Sequence, residues 1–148
     1  MGGIGKFSLL GNVREKSKNG LAELRHKFLS DLLEEDDHFI DTSTTFVESR
    51  LSRMKVFVVL DDISTLEQLE NLVGDFHCFG PGSRILITTR DKHVLSKGVD
   101  KICTVQELKP HQSLELFNLN AFNNGLSTME YEELTKKALV YAKGIPLA

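Results

Sequence analysis

The sequence predicts an α/β fold in which a mostly parallel sheet is followed by a helical subdomain. Two short segments, Val56–Leu60 and Arg84–Arg90, have apolar, β-branched interiors, which is typical of strands buried on both faces of a parallel sheet. Helical patterns separate the strands, and this alternation indicates parallel pairing. No strand pattern occurs near the end of the chain. We therefore expect a sheet-containing subdomain at residues 1–109 and the start of a truncated helical subdomain at 110–148.

The first third of the chain predicts one strand and two helices. A glycine-rich turn leads into a strand over Phe7–Val13, and a polar loop occupies Arg14–Gly20. An amphipathic helix of about 14 residues follows, because apolar residues recur at helical spacing. An acidic turn at Glu34–Asp41 precedes a shorter helix over Thr44–Arg53. The apolar residues that define the first helix are Leu21, Leu24, Phe28 and Leu32.

The remainder predicts shorter elements around the two apolar strands, with two helices at the end. Leu114, Phe117 and Ala121 mark the first of these helices, and the second spans Tyr131–Tyr141 before Gly144 stops it. The intervening elements are a helix over Thr65–Val73, a turn over Phe79–Ser83, a short helix near Lys92–Ser96 and a strand over Ile102–Val105.

Composition excludes several classes of protein. The 148 residues include 18 Lys+Arg and 21 Asp+Glu, so the net charge is −3, which argues against non-specific nucleic-acid binding. The 41% hydrophobic content is that of a globular domain rather than a disordered tail. The longest apolar run, Val56–Leu60, is far short of the roughly 20 residues that span a bilayer. Two cysteines and no signal-peptide pattern predict a reducing, intracellular (cytoplasmic) location.

The glycine-rich start, Gly2-Gly3-Ile4-Gly5-Lys6, matches the end of a phosphate-binding loop. Glycines allow backbone N–H groups to converge on phosphate oxygens, and the lysine reaches the terminal phosphates. The pattern requires Ser or Thr after the lysine as a Mg²⁺ ligand, but Phe7 stands there and Ser8 comes one residue late. The alternative interpretation is a flexible glycine-rich terminus.

Polar residues follow both apolar strands. Asp61 and Asp62 come directly after Val56–Leu60, where carboxylates can hold Mg²⁺ or orient water. Alternatively, Asp62 or Ser64 caps the next helix. Thr88, Thr89 and Arg90 end the other strand, and the planar guanidinium of Arg90 suits a phosphate. Alternatively, Arg90 is a surface residue that leads into a helix.

Other polar groups favour structural interpretations. Gly144–Ala148 reads as a helix stop, and Glu34–Asp37 as a solvated acidic turn. The five histidines lack metal-site spacing, and no arrangement for nucleophilic catalysis is evident.

Six motifs occur in a fixed order along the chain: Gly2–Lys6, Asn12–Glu15, Val58–Ile63, Gly80–Asp91, Leu114–Phe117 with Ala121-Phe122, and Gly144–Ala148. As a set they resemble the NB-ARC nucleotide-binding domain of plant disease-resistance proteins, a P-loop NTPase-like fold. The residues of the Asn12–Glu15 motif, and the lack of Trp after Asp61-Asp62-Ile63, resemble the subclass with an N-terminal Toll/interleukin-receptor domain.

The resemblance implies a switch in immune signalling, in which ADP holds a closed state and ATP permits self-oligomerisation. Flanking signalling and leucine-rich-repeat domains are the implied partners, together with nucleotide. Asp61 would be a Mg²⁺ ligand, and Ser8 is a further candidate ligand. Asp62 would take part in catalysis or position a water molecule. The nucleotide contacts would come from Gly3, Ile4, Gly5 and Lys6 on the phosphates, Arg90 on the terminal phosphate and Pro146 near the adenine.

One departure from the family pattern affects the phosphate loop. Lys6 runs directly into the strand at Phe7, whereas a parallel crossover needs a dozen or more residues. The helix whose N-terminus binds phosphate is therefore missing. We interpret the chain as a partial sequence with an internal deletion, and we expect weak or undetectable nucleotide binding. A non-binding interaction module and a metabolic P-loop enzyme are the alternative functions.

Overall fold

The computed structural model describes residues 5–34, 44–96, 98–122 and 131–146. These residues form three strands, six helices and three short 3₁₀ turns. The strands are β1 (Lys6–Leu10), β2 (Val56–Ile63) and β3 (Arg84–Thr89). The helices are α1 (Val13–Lys16), α2 (Leu21–Leu33), α3 (Thr44–Leu51), α4 (Leu66–Val73), α5 (Pro110–Ala121) and α6 (Glu132–Ala142). The 3₁₀ turns are Ser17–Asn19, Phe76–Cys78 and Lys92–Leu95.

The strands form one parallel sheet in the order β1-β2-β3. Lys6 lies opposite Val56 at the start of β1, and Leu10 lies opposite Leu60 at its end. The β2–β3 register is irregular between Leu60 and Ile63. The structure thus confirms the α/β fold and the predicted parallel pairing of the two apolar strands.

Among the described residues, cover is found on one face of this sheet only. Val56, Val58 and Leu60 are fully buried together with apolar residues of α2 and α4, which contact each other. On the opposite face, Phe7 is 61% exposed and Leu9 is 60% exposed. Connections between successive parallel strands are right-handed, so a sheet that grows in one direction receives its helices on one face.

Burial of both apolar strands on both faces was therefore a wrong prediction: in β2, Phe57 and Val59 are only partly buried. β3 lies at the edge of the described sheet, and its Leu86 is 51% exposed. An apolar strand pattern reports residue type, but it does not report whether a second helical layer is present.

Two local predictions and one alternative interpretation were also wrong. Residues 14–20, predicted to be a loop, contain most of α1 and a 3₁₀ turn, which are too short to leave a periodic pattern. Residues 102–105 form no strand, because β-propensity needs a partner strand to take effect. Thr65, rather than Asp62 or Ser64, caps α4: its side chain accepts a hydrogen bond from the Gln68 N–H.

The chain divides into two compact units, Met1–Ile102 and Cys103–Ala148. In the second unit, α5 packs against α6. α6 ends at Ala142 with Lys143 as its left-handed C-cap, so the helix stops just before the predicted Gly144. The Gly144 carbonyl accepts a hydrogen bond from the Leu108 N–H at 2.9 Å. Gly144 has φ 79°, and a Cβ there would lie 2.6 Å from the Leu108 carbonyl oxygen, so only glycine fits.

Candidate functional site

The carboxyl ends of β2 and β3 bring two predicted groups of polar residues together. Thr88 Oγ1 donates a hydrogen bond to Asp61 Oδ1 at 2.7 Å. Thr88 Oγ1 also accepts a hydrogen bond from the Asp62 N–H at 2.9 Å. Because parallel strands end at a common sheet edge, residues separated by 26 or 27 positions become direct neighbours.

Asp62 is the centre of a small ion cluster at this edge. Its Oδ1 lies 2.9 Å from Arg14 Nη2 and 3.3 Å from Arg90 Nη2. The Asp62 backbone is left-handed, with φ 59°, and it sits in the irregular register between β2 and β3. In a regular strand, Asp62 would share the buried face of Val56, Val58 and Leu60. The irregular backbone changes the direction of its side chain.

Sequence reasoning missed Arg14. It follows β1 in α1, and β1 ends opposite Leu60, so Arg14 belongs to the same sheet edge as Asp61 and Asp62. The available signal was position, because a residue soon after a parallel strand returns to the carboxyl edge of the sheet. The sequence pattern predicts a loop from Arg14 onward and gives Arg14 no role of its own within the Asn12–Glu15 motif.

The carboxylates at this edge are suited to a hard cation only with further ligands. Among the described residues, no group of three or more His, Cys, Asp or Glu side chains could hold a metal ion. Mg²⁺ commonly uses one or two carboxylates and takes its other oxygens from water and nucleotide phosphates. Asp61 fits that pattern as a single carboxylate ligand, whereas one oxygen of Asp62 is already engaged by Arg14 and Arg90.

The predicted phosphate-loop residues lie elsewhere. Lys6 pairs with Val56, five residues before Asp61, which separates them by about 16 Å along the strands. The N–H groups of Gly5 and Lys6 both donate to the Lys55 carbonyl, at 2.9 and 3.3 Å. The Lys6 ammonium forms an ion pair with Glu34. Gly3 and Ile4 are outside the described residues.

Ser8, the candidate second metal ligand, is 8% exposed and lies opposite Val58 in the sheet. It is three residues short of the level of Asp61, which corresponds to about 10 Å along the strands. The structure does not bring the two side chains together, and the metal-binding role of Ser8 stays a prediction.

Pro146 lines a cavity of about 320 Å³ in the helical unit. Its walls are largely apolar and include Phe117 and Leu139, while Ser113 and Asn120 contribute polar groups. A cavity of this character can accept a flat, partly polar ring.

Comparison with known proteins adds the family. Residues 17–127 match the NB-ARC domain. The chain belongs to the NB-ARC domain family. Nucleotide binding is a general property of NB-ARC domains. Among the described helices, none is long and apolar enough to cross a bilayer.

The NB-ARC chain is similar to several plant proteins. It is 41% identical over 137 residues to the TMV resistance protein N of Nicotiana glutinosa. That alignment covers 90% of this chain and 12% of the length of that protein. It is 38% identical over 148 residues to disease resistance protein RPV1 of Vitis rotundifolia, covering 96% and 11% of the respective chains. For disease resistance protein RPP2B of Arabidopsis thaliana, identity is 36% over 143 residues, with 96% and 12% covered. The chain thus spans a small part of the length of these relatives.

Proposed function

We propose that this chain is the nucleotide-reading part of an ADP/ATP-dependent switch in plant defence signalling. The observation that carries the proposal is the meeting of Asp61, Asp62, Thr88 and Arg90 at one sheet edge. Membership of the NB-ARC family and similarity to disease resistance proteins support the nucleotide and the biological setting.

The roles of the edge residues follow from their chemistry. Asp61 would ligate Mg²⁺ through an oxygen beside Thr88, and Arg90 would contact a terminal phosphate with its planar fork. Asp62 would position the arginine or a water molecule. A second arginine, Arg14, holds one Asp62 oxygen, which favours positioning over proton transfer. When bound, Mg²⁺ would supply charge that neutralises the phosphates.

The remaining nucleotide contacts are proposed from the family pattern. Pro146 would pack near the adenine, and its apolar cavity is of a suitable character. Gly3, Ile4, Gly5 and Lys6 would contact the phosphates. In this chain Lys6 could not reach a nucleotide whose Mg²⁺ is held by Asp61, because it lies about 16 Å from Asp61 along the strands. Its ammonium also pairs with Glu34, and the N–H groups of Gly5 and Lys6 already donate to the Lys55 carbonyl. We therefore propose weak binding by this chain.

The larger protein is proposed to carry an N-terminal Toll/interleukin-receptor domain and leucine-rich repeats, to act in the cytoplasm and to self-oligomerise in the ATP state. A nucleotide shifts such an equilibrium only through differential contacts to the two states. Arg90 would supply that difference, because only ATP carries the third (γ) phosphate.

Weak binding at a defined edge is best measured by nuclear magnetic resonance on the ¹⁵N-labelled chain. Mg²⁺-ATP should shift the amide signals of Asp61, Thr88 and Arg90 more than Mg²⁺-ADP does. Asp61→Asn should remove the Mg²⁺ dependence, whereas Glu67→Gln, an exposed acid on α4, should leave it intact. Shifts that are absent from this edge, or that are independent of Mg²⁺, would contradict the proposal.

A non-binding interaction module is the second candidate function. The exposed Phe7, Leu9 and Leu86 side chains on the open sheet face favour it. Phe7 also stands where a Mg²⁺ ligand is expected and has no oxygen to offer. In that case the nucleotide titration gives no shifts, with or without Mg²⁺.

A further inference from the structure

A single oxygen of Asp62 serves two arginines that differ in environment. Arg14 Nη2 lies 2.9 Å from Oδ1, and the Arg14 side chain is 29% exposed. Arg90 Nη2 lies 3.3 Å from the same atom, and the Arg90 side chain is 72% exposed. The Arg14–Asp62 contact is shorter and less exposed to solvent, so it is the stronger of the two.

Arg14 is anchored at its backbone. Its carbonyl accepts a hydrogen bond from Ser17 Oγ at 3.1 Å. That hydroxyl in turn accepts a bond from Gln68 Nε2 at 2.7 Å, and Gln68 belongs to the capping box of α4. The neighbouring Val13 is fully buried. These contacts tie α1 to α4, so the Arg14 side chain starts from a fixed point.

The Arg14 guanidinium itself depends on Asp62. Its Nε atom is buried, and within the described part of the chain it has no hydrogen-bond partner. Without Asp62, the guanidinium would keep a buried donor and lose its ion partner. Arg90, by contrast, lies in solvent beyond the end of β3 and can change partners easily.

We propose that Arg14 is a positioning residue: it fixes the carboxylate of Asp62, which in turn holds Arg90. This inference rests on the proposed function for its second step, in which a terminal phosphate draws Arg90 away. A phosphate offers several charged oxygens to a planar fork, whereas Asp62 offers Arg90 one oxygen that is already shared. Arg14 stays on Asp62 throughout, and Asp62 is a docking point for Arg90.

The positioning role predicts an asymmetry between the two arginines, measurable without nucleotide. Guanidinium rotation rates of Arg14 and Arg90 are obtained by ¹⁵N nuclear magnetic resonance on the full chain. Arg14→Gln should accelerate the rotation of Arg90 by roughly two- to fivefold. Arg90→Gln should leave the rotation rate of Arg14 unchanged, and Asp62→Asn should accelerate both arginines.

Controls separate positioning from loss of folding. Amide exchange at Val58 and Leu60 should be the same in all variants. Arg14→Lys keeps the charge and should return Arg90 part of the way to its original rate; it also replaces Arg14→Gln if that variant does not fold. An unchanged Arg90 rate in the Arg14 variants, or equal effects in both directions, overturns the positioning role.

Adding ATP to the unmodified chain tests the second step separately. Faster or shifted Arg90 signals with unchanged Arg14 signals support release by phosphate. If ATP moves neither arginine while the asymmetry holds, the proposed nucleotide function fails and the positioning role stands.

Discussion

Lys6 and Asp61 lie at opposite ends of the same parallel sheet. Lys6 begins β1 opposite Val56, and Asp61 lies five residues further along β2, at a separation of about 16 Å along the strands. A phosphate held by Lys6 could not also neighbour a cation held by Asp61. The structure thus separates two residues that the family pattern assigns to one nucleotide.

The cause is the direct run from Lys6 into β1. A phosphate loop follows the carboxyl end of its strand, and a helix then returns the chain to the amino edge before the next strand. Here no residues intervene, so Lys6 occupies the amino edge itself. The N–H groups of Gly5 and Lys6 donate to the Lys55 carbonyl, and the Lys6 ammonium pairs with Glu34. These donors would otherwise be available to a phosphate.

The one-sided sheet predicts opposite responses at two adjacent leucines. Leu9→Lys places a charge on the open face, where the side chain is 60% exposed, and should raise solubility without loss of stability. Leu10→Lys buries a charge at a position that is 6% exposed and should cost more than about 4 kcal/mol. Chemical denaturation and light scattering measure both effects. Equal destabilisation by the two substitutions would show that the second face is covered.

The capping box of α4 predicts a moderate effect at Thr65. Thr65→Ala removes the acceptor of the Gln68 N–H and should lower the free energy of unfolding by about 1 kcal/mol. Thr65→Ser keeps the hydroxyl and serves as the matched control. If urea denaturation gives the same midpoint for both variants, the cap has no energetic role.

Thr88 joins the two strand ends, and its hydroxyl should therefore organise the site. Thr88→Val keeps the shape but removes the contacts to Asp61 Oδ1 and the Asp62 N–H. We expect a loss of about 1 kcal/mol and, in amide exchange, faster opening at Asp62. Thr88→Ser should resemble the original chain. Unchanged exchange at Asp62 in the valine variant would count against this bridge.

The two cysteines should differ in reactivity. Burial, followed by the charges of Glu48 and Asp75, raises the pKa of the Cys78 thiol from 9.0 to about 11. Cys103 is exposed. Near pH 8.5, iodoacetamide should modify Cys103 well before Cys78, because the thiolate is the reactive form. Mass spectrometry of the timed reaction identifies the order, and modification of Cys78 first would contradict it.

The raised pKa of Cys78 makes the free energy of unfolding depend on pH in the alkaline range. A thiol with a raised pKa stays protonated in the folded chain while the unfolded chain ionises, so its contribution is complete below pH 9. That contribution declines between pH 9 and about 11. Cys78→Ser should show a shallower decline over this interval, measured by denaturation at each pH. Equal slopes in the two proteins would rule out Cys78 as the cause.

Sequence patterns predicted the edge residues better than they predicted the cover of the sheet. Asp61, Thr88 and Arg90 could be predicted because each lies at the carboxyl end of an apolar strand, and parallel strands end at a common edge. Arg14 was not, since a four-residue helix leaves no periodic signal and an ion pair across 48 positions leaves no local pattern. The open face at Leu9 and Leu86 depends on strand order and crossover handedness, which residue types do not encode locally.

Calorimetric titration of the folded chain with ADP and with ATP, in the presence of Mg²⁺, tests the separation of Lys6 from Asp61 most directly. We predict weak or undetectable heat, and the same result for Lys6→Ala, with circular dichroism confirming that both proteins are folded. Binding of ADP with a dissociation constant of about 1 μM, abolished by Lys6→Ala, would contradict this result. It would show that the loop holds phosphate without its helix and that Lys6 reaches the site after all.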